Sequence, residues 1–169
     1  MGKTQMNSNA YNREKAVAYA RKWALSRNPR FYNFAGIGGD CTNFASQCVY
    51  AGAGVMNFKP LYGWYYNALS DRAPAWSSVK YFHRFLTLNK EAGPYAEEVP
   101  LEKILPGDLI QLATWMEDYH HTLVVTETGE IPNYDNILIC THSYDSLDRP
   151  LNTYDTKQIR CIQITGVRQ

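Results

Sequence analysis

Gly38-Gly39-Asp40-Cys41-Thr42-Asn43-Phe44-Ala45-Ser46-Gln47-Cys48 opens with a glycine-rich turn and an aspartate of the helix-capping type. It then places Cys41, Phe44, Ala45, Cys48 and Val49 at i, i+3, i+4, i+7 and i+8. That spacing predicts a helix with one apolar stripe, closed by Gly52 or Gly54. Cys41 falls in its first turn, where unpaired backbone N–H groups and the positive end of the helix dipole favour a thiolate. The same N–H groups would stabilise an oxyanion if the sulfur attacked a carbonyl. A small thiol packed on the apolar stripe accounts for the position equally well. Cys48, two turns on, reads as packing.

Upstream, residues 12–27 read as an amphipathic helix with Ala16, Ala20, Trp23 and Ala24 on one stripe, ended by Asn28-Pro29. Downstream, residues 57–75 are rich in aromatics, Gly and Pro without a period, which predicts an ordered surface segment. Ser77 or Ser78 caps a third helix with Val79, Phe82, Phe85 and Leu86 inward. Beyond Gly93-Pro94 the pattern turns to β: a strand over 108–114 after the Pro106-Gly107 turn, then 122–126, 136–143 and 158–165. Helices first and strands second predict an α+β fold, with N-terminal helices packed on an antiparallel sheet. No internal repeat divides the chain. Residues 11–169 read as one domain, preceded by an extension over 1–10 whose Gly2-Lys3-Thr4 fits a vector-derived remnant or a domain start.

Composition narrows the partners. Seventeen Lys and Arg against 16 Asp and Glu leave a net charge of +1, without the basic excess that phosphates demand, so no nucleic-acid partner is expected. No apolar run approaches the ~18 residues of a membrane span, and the first ten residues lack a signal-peptide core, so the chain reads as soluble and monomeric. Export would require a signal on a longer precursor. The four cysteines show no CxxC spacing, and neither a structural zinc nor an organic cofactor is expected. If the last two strands hairpin near Pro150, Cys140 and Cys161 face each other; free thiols are the favoured state, with a bridge geometrically open.

A thiolate needs a base, and His121 stands at the mouth of the strand Thr122-Leu123-Val124-Val125. If that strand hairpins symmetrically onto residues 136–143, paired residue numbers sum to about 263, which sets His142 opposite His121 as its orienting partner. Asp145, three residues on, offers a carboxylate for the same task. Strand parity turns His120 to the other face, and His83 reads as a structural histidine on the third helix. A metal site from His120, His121 and His142 is a minor alternative without a known spacing.

The block quoted first, followed by Ala51-Gly52-Ala53-Gly54-Val55-Met56, Trp76-Ser77-Ser78-Val79, Pro106-Gly107-Asp108-Leu109-Ile110, His121-Thr122-Leu123-Val124-Val125 and Thr141-His142-Ser143-Tyr144-Asp145, is similar in order and spacing to the amidase-domain family of bacterial cell-wall proteins. That family lies within the papain-like superfamily of cysteine peptidases that includes the NlpC-type and CHAP families. One departure is Gly52-Ala53-Gly54, where the family usually has Gly-Gly before the methionine. The resemblance implies Cys41 as nucleophile, His121 as base and His142 as third member. It also implies hydrolysis of a peptidoglycan amide through a thioester, and a secreted or wall-associated setting. Oxyanion donors would be the Cys41 N–H with the side chain of Asn33 or Tyr32, and Asp40 would act as a helix cap. Tyr62, Trp64, Tyr65, Tyr66, Trp115 and Tyr119 would wall a substrate groove or simply pack together. The rival reading is a non-catalytic module that keeps the cleft to bind wall fragments or a partner protein.

Overall fold

The computed structural model describes residues 8–114, 118–156 and 158–169. Helix α1 (Arg13–Trp23) begins where the Asn12 side chain accepts from the Lys15 N–H, and it buries Ala16 and Ala20. It stops four residues short of Arg27, because the Ser26 N–H turns back to the Trp23 carbonyl at 3.2 Å. Helix α2 (Cys41–Ala53) starts at Cys41 as expected and ends on Gly54, whose φ of 70° is left-handed backbone that glycine adopts without strain. A short α3 (Pro74–Ser77) leads into α4 (Val79–Leu88), capped by Ser78, with Phe82, Phe85 and Leu86 buried.

The strands are β1 (Ser8–Asn9), β2 (Tyr66–Ala68), β3 (Asp71–Arg72), β4 (Gly93–Val99), β5 (Leu109–Ala113), β6 (Tyr119–Glu127), β7 (Leu138–Thr141), β8 (Ser146–Pro150) and β9 (Ile159–Arg168). Seven of them form one antiparallel sheet in the order β1-β9-β5-β6-β7-β8, with β4 also on β9, and β2 and β3 form a separate ribbon. Two residues of the N-terminal extension thus join the sheet. The sheet separates two apolar clusters. On one face Leu109, Val124, Cys140, Ile162 and Ile164 meet Ala16 and Ala20 of α1, Phe44, Ala45 and Cys48 of α2, and Phe82 and Leu86 of α4. On the other, Ile110, Leu112, Leu123, Val125, Ile139 and Cys161 meet Ile104, Ile137 and Leu151 from connecting segments. The architecture is α+β, helices against an antiparallel sheet.

Two sequence expectations are corrected here. Residues 57–75 are a surface segment only in part: 58–62 and 67–71 are exposed, but Trp64 is fully buried, Tyr66 nearly so, and the Trp64 ring stacks on Phe82 and Phe85 at 6.0 and 5.9 Å between centroids. Aromatic packing anchors the short β2–β3 ribbon there without a helical or strand period. Cys140 and Cys161 do not face each other either, because β7 turns into β8 and not into β9; β5 and β6 lie between their strands, and the two thiols point to opposite faces of the sheet.

One contact ties the helical layer to the sheet and another joins α1 to α2. Asp108 of the Pro106-Gly107-Asp108 turn is buried, accepts from the Leu105 and Ile164 N–H groups, and pairs with Arg13 of α1 at 2.7 Å. Gly52 accepts from the Asn12 N–H at 2.9 Å, and a Cβ at this position would stand 2.5 Å from the Tyr11 ring and 2.7 Å from the Asn12 carbonyl.

Candidate active site

The turn before α2 needs its two glycines: Gly38 and Gly39 have φ of 93° and 98°. It delivers Cys41 to the first turn of the helix, 7% exposed, against the start of β6. The Thr42 hydroxyl lies 3.8 Å from Cys41 Sγ and 2.9 Å from the Thr122 hydroxyl, so α2 and β6 are latched beside the sulfur. Burial raises the Cys41 thiol above its ordinary value, and hydrogen bonds from the Thr122 backbone and from Thr42 work against that rise without cancelling it. The helix dipole was expected to lower the thiol; desolvation outweighs it.

His121 adjoins Thr122 on β6, partly buried. Burial first, then His120 and Arg149, push its imidazole down to about 4, so it is neutral at pH 7. Its ring lies 6.2 Å from that of Tyr154, and Thr141 Oγ1 is 3.4 Å from its Nε2. No hydrogen bond joins Cys41 to His121 in this resting arrangement, although both reach Thr122.

The register between β6 and β7 corrects the expected pairing. Val124 pairs with Cys140 and Val125 with Ile139, sums of 264 where 263 was expected, and an irregularity at Val125/Glu127 inserts one residue in β6. A slip of one reverses faces. His142, just past the end of β7, therefore turns toward α2 and away from His121. Its Nδ1 lies 2.5 Å from Asp40 Oδ2, its Nε2 2.8 Å from the Trp23 carbonyl, and its ring stacks on Phe44 at 4.0 Å. Asp145 is engaged too, in a two-pronged pair with Arg27 at 2.8 and 3.0 Å.

Asp40 occupies the N-cap position but makes no capping bond with its side chain. Its carboxylate instead accepts from the Phe34 N–H and the Asn43 amide, both at 2.8 Å. Burial alone would raise this carboxyl; the bonds from His142, Phe34 and Asn43 bring it below the ordinary carboxylate value. The polar residues inside the motif are likewise spent on structure. Asn43 accepts from the Trp76 indole, Ser46 donates to the Trp76 carbonyl and accepts from the Trp64 indole, and Gln47 accepts from Tyr19.

The remaining candidates scatter. His120 is exposed at the β-bulge of β6, and His83 is half-buried with its Nε2 2.6 Å from Glu98. Among the described residues, no three His, Cys, Asp or Glu side chains converge to hold a metal. Asn33 caps a 3-10 turn over residues 34–36, and the Tyr32 ring stands edge-on to Phe34 at 5.2 Å. Of the aromatic wall, Trp64 and Tyr66 are core, Tyr62 lines a pocket of about 210 Å³ on α4, and the Tyr119 ring carries the Arg160 guanidinium at 4.0 Å. Trp115 lies outside the described residues. Sequence reasoning passed over Thr42, Thr122, Thr141 and Tyr154, whose placement depends on strand register and on a loop return that no local pattern encodes. The Arg149 guanidinium lies 3.8 Å above the Tyr154 ring, and the Cys41 thiol is close enough to act on Tyr154 electrostatically.

The family model described as "Putative amidase domain" matches residues 10–164, nearly the whole chain. The chain belongs to this amidase-domain family. A curated relative, "Uncharacterized protein YhbB" of Bacillus subtilis (strain 168), is 33% identical over 142 residues, 80% of this chain. The aligned part is 42% of that protein's length, so the chain spans less than half of it. No solved structure matches the chain. Cys41 opens α2 and His121 adjoins Thr122 on β6, where the Thr42 and Thr122 hydroxyls join the two elements. No described helix is long and apolar enough to cross a membrane.

Proposed function

We propose that this amidase-domain chain is a papain-like cysteine hydrolase that cleaves an amide in peptidoglycan peptides through a thioester. The observation that carries the reading is the position of Cys41 Sγ: first turn of α2, 3.8 Å from the Thr42 hydroxyl, which in turn meets the hydroxyl of Thr122, the residue next to His121 in sequence. Thiol and imidazole both rest neutral. On substrate binding His121 takes the Sγ proton as sulfur attacks the carbonyl carbon, and N–H groups of the first helical turn receive the oxyanion. Asn33 uses its Oδ1 to cap the turn over 34–36 and Tyr32 is 42% exposed, so the Asn33 amide N–H and the Tyr32 hydroxyl stay in this reading as side-chain donors beside the backbone. The C–N bond then breaks as His121 protonates the leaving amine. A water, deprotonated by His121, attacks the thioester; the C–S bond breaks, a carboxylate departs and the thiol recovers its proton.

The wall substrate and an extracytoplasmic or wall-associated setting rest on the resemblance of the motif blocks to cell-wall hydrolases. A digest of purified peptidoglycan, analysed by mass spectrometry, tests both bond and substrate: new amine and carboxylate termini with wild type but not with Cys41→Ala support the reading, and an unaltered muropeptide profile refutes it. The nearly complete burial of the Cys41 thiol favours a second reading, a cleft that binds wall fragments or a partner without turnover. Binding of muropeptides by wild type and Cys41→Ala alike, with no product, would select it.

A further inference from the structure

We propose that Thr141 is the positioning residue of His121, holding its ring in the tautomer with the proton on Nε2. This rests on His121 as the base and names a partner that neither the motif nor the expected register supplied.

Both residues nominated from sequence for the role are committed elsewhere, His142 to Asp40 and Asp145 to Arg27. Among the described residues, the side-chain oxygen within hydrogen-bonding distance of the His121 ring is Thr141 Oγ1, 3.4 Å from Nε2. Its single proton has better acceptors: the Thr122 carbonyl at 2.9 Å and the His142 carbonyl at 3.0 Å. A carbonyl accepts only, so the hydroxyl proton points to the backbone and the oxygen lone pair is left for the ring. His121 then donates from Nε2, which leaves Nδ1 unprotonated, the form a general base requires. The arrangement is rigid. Thr141 is fully buried at the end of β7, and its β-branched side chain has few rotamers. The Thr122 carbonyl that orients it belongs to the residue whose hydroxyl meets Thr42, the neighbour of Cys41, so one residue of β6 links the start of α2 to the partner of the base.

Nitrogen-15 NMR of histidine-labelled full-length chain at pH 7 reads the tautomer directly. Wild type is expected to show His121 protonated at Nε2 and bare at Nδ1. Thr141→Val, which keeps shape and loses the hydroxyl, should give a mixture of tautomers, and Thr141→Ser should restore the single form. The rate of Cys41 alkylation by iodoacetamide should fall about tenfold or more in Thr141→Val and stay within about threefold in Thr141→Ser. His121 protonated at Nδ1 in wild type overturns the proposal even if no variant folds, as does a folded Thr141→Val with an unchanged ring spectrum and alkylation rate. These readouts need no substrate, so an unaltered peptidoglycan profile would remove the wall-hydrolase reading and leave the Thr141 result standing. If His121→Ala leaves alkylation unchanged, the base assignment and this proposal fall together.

Discussion

His142 and Asp40 form a buried pair, Nδ1 to Oδ2 at 2.5 Å, that fastens the end of β7 to the turn carrying Cys41. Removing His142 leaves Asp40 Oδ2 to Arg27 Nε at 3.3 Å, and removing Asp40 leaves the buried His142 Nδ1 without its partner, each loss costing about 1 to 3 kcal/mol. Asp40→Ala also strips the Phe34 N–H and the Asn43 amide of their acceptor. We expect both Asp40→Ala and His142→Ala to lower the urea midpoint sharply. A His142→Ala variant that is fully stable but slow in turnover would return His142 to a role at the base.

Cys41→Ala is expected to abolish amide hydrolysis with the melting temperature little changed, because a methyl group fits the nearly closed space at the helix start. Cys48→Ala should do the opposite. Cys48 is fully buried among α1, α2 and Cys140, and deleting its sulfur costs on the order of 1 kcal/mol while turnover per folded molecule is retained. Product formation on peptidoglycan and thermal melts on the same preparations check both.

The depressed His121 imidazole makes acid sensitivity a test of burial. In the unfolded chain the histidine titrates near ~6.5, in the folded chain at about 4. Between those values the unfolded state holds more protons, so stability falls as pH drops through that window, by about 3 kcal/mol in all, and is unaffected by this group above it. Urea midpoints at a series of pH values should show the loss in wild type and a flatter profile in His121→Gln. The acid limb of Cys41 alkylation should fall near 4 as well; a limb near the ordinary histidine value would mean that the imidazole is solvated.

Gly52→Ala should destabilise by about 2 kcal/mol or more, since the added methyl meets the Tyr11 ring and the Asn12 backbone at the joint between α1 and α2. Gly54→Ala should cost about 1 kcal/mol through its left-handed backbone alone, with open space for the methyl. Denaturant midpoints of the two variants give the ranking, which reverses if the joint relaxes freely.

How legible the chain was depended on whether a residue obeys a local rule. Helix α2 was readable to its first residue because two glycines, an aspartate and a clean i, i+3, i+4 stripe agree. Helix α4 was equally plain, with Ser78 and its three buried side chains. Strands β5, β6, β7 and β9 announced themselves by β-branched runs, whereas β4 did not, since Gly93, Pro94, Glu97 and Glu98 are poor strand formers and its pairing with β9 is what holds it extended. Strand β8 was hidden by Asp148, whose φ of 48° is not strand backbone. At the site, Cys41 and His121 were nominated from position alone. The partner of His121 was beyond reach, because the loop over 128–137 is not a symmetric turn and the bulge in β6 shifts the count by one, enough to exchange Thr141 for His142.

The latch between Thr42 and Thr122 joins residues 80 apart in the chain. Contacts so distant in sequence are made late in folding, after local helices have formed. A chain whose helices have condensed before β6 docks therefore carries Cys41 as an ordinary solvated thiol. Closure of the sheet onto α2 hides that sulfur and, under the proposed mechanism, is also the step that completes the site, so a pulse of alkylating agent during refolding times the burial of Cys41 separately from the appearance of helix.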